Sequence, residues 1–167
     1  DLRRELDAVV HRNLQPVLIF AALAYGLVAL RTWFRVETPW GHPLFVGTLL
    51  TAGFASMAWS LIRFDVLGFR WSQAIGAGLA VCFLTNSYLQ FAADPSPQIS
   101  TQLMLSLIVL GYLLLSSLLY LSLTLAAIAL WSYLAGTSQF SGDWPQFGMA
   151  LALAALLASW MHWKQSK

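Results

Sequence analysis

The side chains able to do acid, base or metal chemistry are few and dispersed. The three histidines, His11, His42 and His162, fall at the ends of apolar runs. None is spaced from a second histidine or a carboxylate as a metal site requires. The acids are Asp1, Glu5, Asp7, Glu37, Asp65, Asp94 and Asp143, all at or near run ends, so paired carboxylates within an apolar segment are absent. Proton pumps and ion-coupled transporters place ionisable groups deep in the membrane, which this pattern lacks. The single cysteine, Cys82, lies inside an apolar run, where it reads as a small core side chain. The sequence contains neither a glycine-rich phosphate loop nor a nucleophile elbow. Catalytic residues, a metal and a cofactor are therefore not expected.

What remains is hydrogen-bonding chemistry, concentrated in one stretch. From Trp71 to Ser117 two long apolar runs flank the short polar turn Asp94, Pro95, Ser96, Pro97, Gln98. Thr85, Asn86, Ser87 and Gln90 interrupt the first run near the turn, and Thr101 and Gln102 interrupt the second. Polar groups in apolar helices are costly without partners, so their gathering near one turn marks a candidate site. Asn86 and Gln90 are four residues apart and share a helix face. With Thr101 and Gln102 they are expected to line a polar pocket open to the outside, walled by Tyr88 and Met104, with Trp59 as a further wall. The alternative is that the same groups tie two helices together, at about 0.6 kcal/mol per bond in a membrane.

The elements that must position these residues are membrane helices. Of the 167 residues 59% are hydrophobic and 10% charged, where a soluble domain carries about 25% charge. Six apolar segments can be marked, of about 18–23 residues, and about 20 residues cross a hydrocarbon core. The expected fold is all-α and polytopic, with spans at 16–34, 43–64, 71–93, 98–115, 118–135 and 145–163. Pro16 suits a first helical turn. The run from Ile99 to Leu134 is too long for one span, and a tight turn at Ser116 and Ser117 is expected to divide it. Residues 1–14 read as an amphipathic helix at the membrane interface, with Leu2, Leu6, Val9 and Val10 on one face. A solvated lead-in to the first span is the other reading of that segment. Small residues such as Gly76, Gly78 and Ala80, or Ala150, Ala152, Ala154 and Ala155, allow close helix packing, and no internal repeat is visible.

An even number of spans puts both termini on one side. With the termini cytoplasmic, the inner segments hold Arg3, Arg4, Arg12, Arg63, Arg70, Lys164 and Lys167, and the outer ones only Arg31 and Arg35. This asymmetry favours cytoplasmic termini. The net charge of +2 gives no signal for nucleic acid. The chain opens on Asp1, and DLRRELDAVVHRN lacks the layout of a signal peptide. It is expected to be an excerpt of a longer protein.

A charged amphipathic N-terminus and six short-looped spans frame the following motifs. Asn86, Ser87, Leu89 and Gln90 close the third span, Asp94 and Pro95 follow, then Thr101, Leu103, Met104 and Leu105, and finally Asp143, Trp144, Phe147 and Gly148. This pattern resembles the membrane-associated sensor modules that precede diguanylate cyclase (GGDEF) or histidine kinase domains in bacterial signalling proteins. The resemblance implies a sensory input module in the bacterial inner membrane, a homodimer, a small or hydrophobic signal ligand, and residues 165–167 opening a linker to a cytoplasmic output domain. The output domain would supply any enzymatic activity. A small transporter or channel is the competing class. Deep charges or helices broken by Gly and Pro would favour it, and neither is evident.

Overall fold

The computed structural model describes residues 2–34, 37, 39–64, 66–68, 71–93, 100–113, 117–137 and 144–165. Six helices fill them: α1 (Leu2–Trp33), α2 (Gly41–Arg63), α3 (Ser72–Ala93), α4 (Ser100–Leu113), α5 (Ser117–Thr137) and α6 (Trp144–Gln165). Among the described residues the secondary structure is helical, with no strand. Among the described residues four segments are long and apolar enough to cross a membrane: His11–Trp33, Gly41–Arg63, Ser72–Ala93 and Leu118–Thr137.

Proline, glycine and charge set the helix ends. α2 starts at Gly41 and stops at Arg63, where Phe64 closes the last turn by donating its N–H to Ser60 O at 3.0 Å. The Trp71 N–H bonds Gly68 O at 3.0 Å, which leads the chain into α3. The described helices lie within about two residues of the expected spans except at the N-terminus. The expected interface helix and the first span are a single helix of 32 residues that continues through Pro16. At 1.5 Å per residue it is about 48 Å long, more than a hydrocarbon core needs. Pro16 removes one backbone donor, and its exposed position lets surrounding solvent or headgroups take up the freed carbonyl. The side chains of Leu2, Leu6, Val9 and Val10 lie outside the described residues. So do the Asp94–Gln98 turn and residues 114–116; α5 opens at Ser117, beside the expected turn.

The helices form two compact units, 1–89 and 90–167. In the first, α1 packs chiefly on α2. The buried face of α1 carries His11, Leu14, Leu18, Ala21 and Ala29, at helical spacing. The buried positions of α2 include Thr48, Thr51, Ala52, Ala55, Ala58 and Ile62, nearly all small. Large apolar side chains point the other way: Phe20, Leu23, Leu27 and Leu30 on α1, and Leu49, Leu50 and Met57 on α2, are exposed. Water would penalise such a continuous apolar surface, whereas lipid does not, and small residues inside let backbones approach. α3 joins this unit through a stacked pair, Tyr25 and Phe83, with ring centroids 5.2 Å apart.

In the second unit α4 packs chiefly on α6. The buried positions of α6 are Leu151, Ala154, Ala158 and His162, and those of α4 include Leu103, Ser106 and Leu107. At Gly111 the helices touch backbone to backbone: an added Cβ would stand 2.4 Å from Ala158 O. α5 runs antiparallel to α6, since Tyr120 meets Ser159 near one end and Trp131 meets Gly148 near the other.

Candidate functional site

Asn86 is the most deeply buried of the expected pocket residues, at 1% exposure. It sits on α3 opposite Gly47 and Thr51, which are one turn apart on α2. Thr51 Oγ1 donates back to Gly47 O at 2.9 Å, the usual way a helical threonine satisfies its hydroxyl proton. Its remaining capacity is as an acceptor, and Asn86 Nδ2 donates to it. The same Nδ2 faces Gly47 O at 3.2 Å and Cys82 O at 3.1 Å. Two amide protons therefore serve three acceptors, which fixes the amide with its nitrogen toward α2. Asn86 Oδ1, on the other branch, is buried and has no hydrogen-bond partner among the described residues.

A threonine pair lies beside this node. Thr48 Oγ1 is 2.9 Å from both Leu44 O and Phe45 O, and 3.4 Å from Thr32 Oγ1 on α1. Ser87 bonds Phe83 O at 2.9 Å within its own helix. The polar seam of the first unit thus touches all three helices. Position 47 is tightly packed: an added Cβ would stand 2.9 Å from Leu89 Cδ1 and 3.0 Å from Asn86 Oδ1, so these side chains would have to shift.

The other residues expected at the site separate from Asn86 in their bonding. Gln102 Nε2 donates to Gln90 Oε1 at 2.7 Å in an exposed position, within the second unit. Thr101 is exposed, while Tyr88, Met104 and Trp59 are half-buried. The described contacts therefore join Gln90 to Gln102 and Asn86 to α2. Sequence reasoning passed over Gly47, Thr48 and Thr51. Their signal was small and weakly polar residues at i, i+1 and i+4 in an otherwise leucine-rich run, which places Gly47 and Thr51 on one face.

Two of the histidines are also built in. His11 Nδ1 is 3.0 Å from Ser72 Oγ, and this pair joins α1 to the start of α3. His162 stacks on Tyr120 with centroids 4.6 Å apart and planes 12° apart. Ser159 spends its proton on Ala155 O at 2.7 Å, so the Tyr120 hydroxyl donates to Ser159 Oγ at 3.0 Å. Tyr120 thus clamps α5 to the final turns of α6. His42 is exposed, and among the described residues His, Cys, Asp and Glu form no cluster of three suited to a metal. No family model, no curated protein and no solved structure matches the chain.

Proposed function

We propose that the chain is a membrane-embedded sensory input module, of the kind that precedes a diguanylate cyclase or histidine kinase domain. It crosses the bilayer six times with both termini cytoplasmic, works as a homodimer in the bacterial inner membrane, and passes its signal through α6 to a C-terminal output domain. The observation that carries this reading is the anchoring of α6. Its buried face meets α4 at backbone contact through Gly111 and Ala158, and its last turns are clamped to α5 by Tyr120, Ser159 and His162. A displacement of α4 or α5 would therefore be carried to the last turns of α6, where the proposed output domain attaches. A sensor needs two states a few kcal/mol apart, and neutral polar groups that exchange partners supply them without a buried charge.

The orientation rests on the arginine and lysine asymmetry and is tested by labelling. With Cys82 replaced, a Ser141→Cys chain in intact cells is expected to react with an impermeant thiol reagent. Labelling only after lysis reverses the orientation.

Signal transfer is tested by fusing α6 in helical register to a heterologous diguanylate cyclase domain and measuring cyclic dinucleotide. Asn86→Leu, Gln102→Leu and Tyr120→Phe are each expected to fix the output high or low, with membrane insertion unchanged. Parental output from all three removes these contacts as the switch. Substrate flux through the purified chain in liposomes would support the transporter class instead.

A further inference from the structure

We propose that Asn86 Oδ1 is the recognition point of a ligand site between α2 and α3, and that its ligand is a membrane-dissolved alcohol: an apolar body with one hydroxyl. This deepens the sensory reading and takes its physiological meaning from it. The acceptor is buried and unpartnered. A buried acceptor left unpaired is costly, and a matching donor recovers much of that cost. Rotating the amide cannot supply the donor, because Nδ2 is held by Gly47 O, Cys82 O and Thr51 Oγ1.

The surroundings of Oδ1 define the ligand. Gly47 is half-buried, and the Leu89 side chain lies against it, with Cδ1 2.9 Å from where a Cβ would stand. Beside Gly47, Val46 and Leu50 are exposed, Leu50 at 67%. The groups around Gly47, which Oδ1 adjoins, are thus apolar, and the Leu89 side chain among them is flexible enough to move by a rotamer change. The occupant must be apolar along most of its length to enter there. It must carry a single donor, since the site offers one free acceptor. An ammonium group would bring three protons to that one acceptor and leave two unpaired in an apolar setting, which is costly. An ether or ester has no proton to give. A hydroxyl fits both requirements.

The test uses the whole chain in lipid vesicles with a diazirine-bearing fatty alcohol and its methyl ether as photoprobes. The alcohol is expected to label the segments carrying Val46, Leu50 and Leu89 about tenfold more than the ether, the ratio that about 1.4 kcal/mol sets. n-Decanol should compete, and its isomer methyl nonyl ether should not. Asn86→Leu removes the acceptor, and Gly47→Ala brings a methyl group against it; each should erase the preference for the alcohol. Equal labelling by alcohol and ether, or a preference that survives in a folded Asn86→Leu chain, overturns the proposal. Labelling reads binding alone. A positive result with silent cyclase fusions would keep the site and remove the sensory role, and a negative one leaves the coupling through α6 to its own assay.

Discussion

Replacing Gly111 by alanine is expected to cost the second unit about 3 kcal/mol, at the upper end of what overpacking does. The new methyl carbon would stand 2.4 Å from Ala158 O and 2.8 Å from Ala158 C and Cα. These are backbone atoms of a buried position, so no side-chain rotation relieves the clash and α4 must move off α6. Two other glycines calibrate the effect. At Gly148 the added carbon meets only the edge of the Trp131 ring at 3.0 Å, which a small tilt accommodates, and the cost should be about 1 kcal/mol. At Gly26 nothing lies within 4 Å, so alanine is expected to stabilise α1 by about 0.5–1 kcal/mol through the ordinary helix preference. Unfolding in mixed micelles with rising anionic detergent should order the chains as Gly26→Ala above parent, then Gly148→Ala, then Gly111→Ala. Equal stability of Gly111→Ala and Gly148→Ala would rule out the backbone contact.

Gly111 also shows where sequence reading stops. It is the one glycine in the run IVLGYLLL, and a glycine in a helix interior costs about 1 kcal/mol, so some close approach was implied. Which helix approaches is a property of the folded pair, and no local pattern names Ala158. The helices themselves were legible, because Gly41, Arg63 and Ala93 sit beside proline, charge or turn residues that end apolar runs. Pro16 misled for a related reason. Proline marks a first turn when water must satisfy the lost bond from inside a helix, but near an interface a helix can run through it. The polar residues were legible one by one and not as a network. Helical period alone puts Asn86 and Gln90 on one face, yet the two are about 6 Å apart along the axis. That is enough for Asn86 to meet α2 while Gln90 meets Gln102. Thr51 gave almost no warning, since a helical threonine that bonds its own backbone looks like any other small residue.

The chemistry of that node leads to the second large effect, an asymmetry between two replacements at one position. Asn86→Asp is nearly isosteric, yet it turns the donor branch into an oxygen facing Gly47 O and Cys82 O, both acceptors, at about the distances that now serve hydrogen bonds. Thr51 cannot compensate without abandoning its bond to Gly47 O. The carboxylate would be buried with no cation among the groups that touch Asn86, and an uncompensated buried charge costs about 3–5 kcal/mol. Asn86→Leu instead keeps the shape roughly and deletes both the three donated bonds and the orphan acceptor. Gly47 O keeps its bond from Thr51, and Cys82 O keeps its helical role, so only the acceptor capacity of Thr51 is left unused. Bonds of this kind in a membrane are worth about 0.6 kcal/mol on average, and loss of the unpaired Oδ1 offsets part of that. The leucine chain should therefore stay within about 2 kcal/mol of the parent, the residual cost being overpacking against Gly47. Detergent unfolding of the two chains is expected to show a gap of at least about 1 kcal/mol in favour of leucine. If Asn86→Asp matched the parent while Asn86→Leu failed to insert, the amide would be serving an acceptor role, and the orientation of the node would be the reverse of that described.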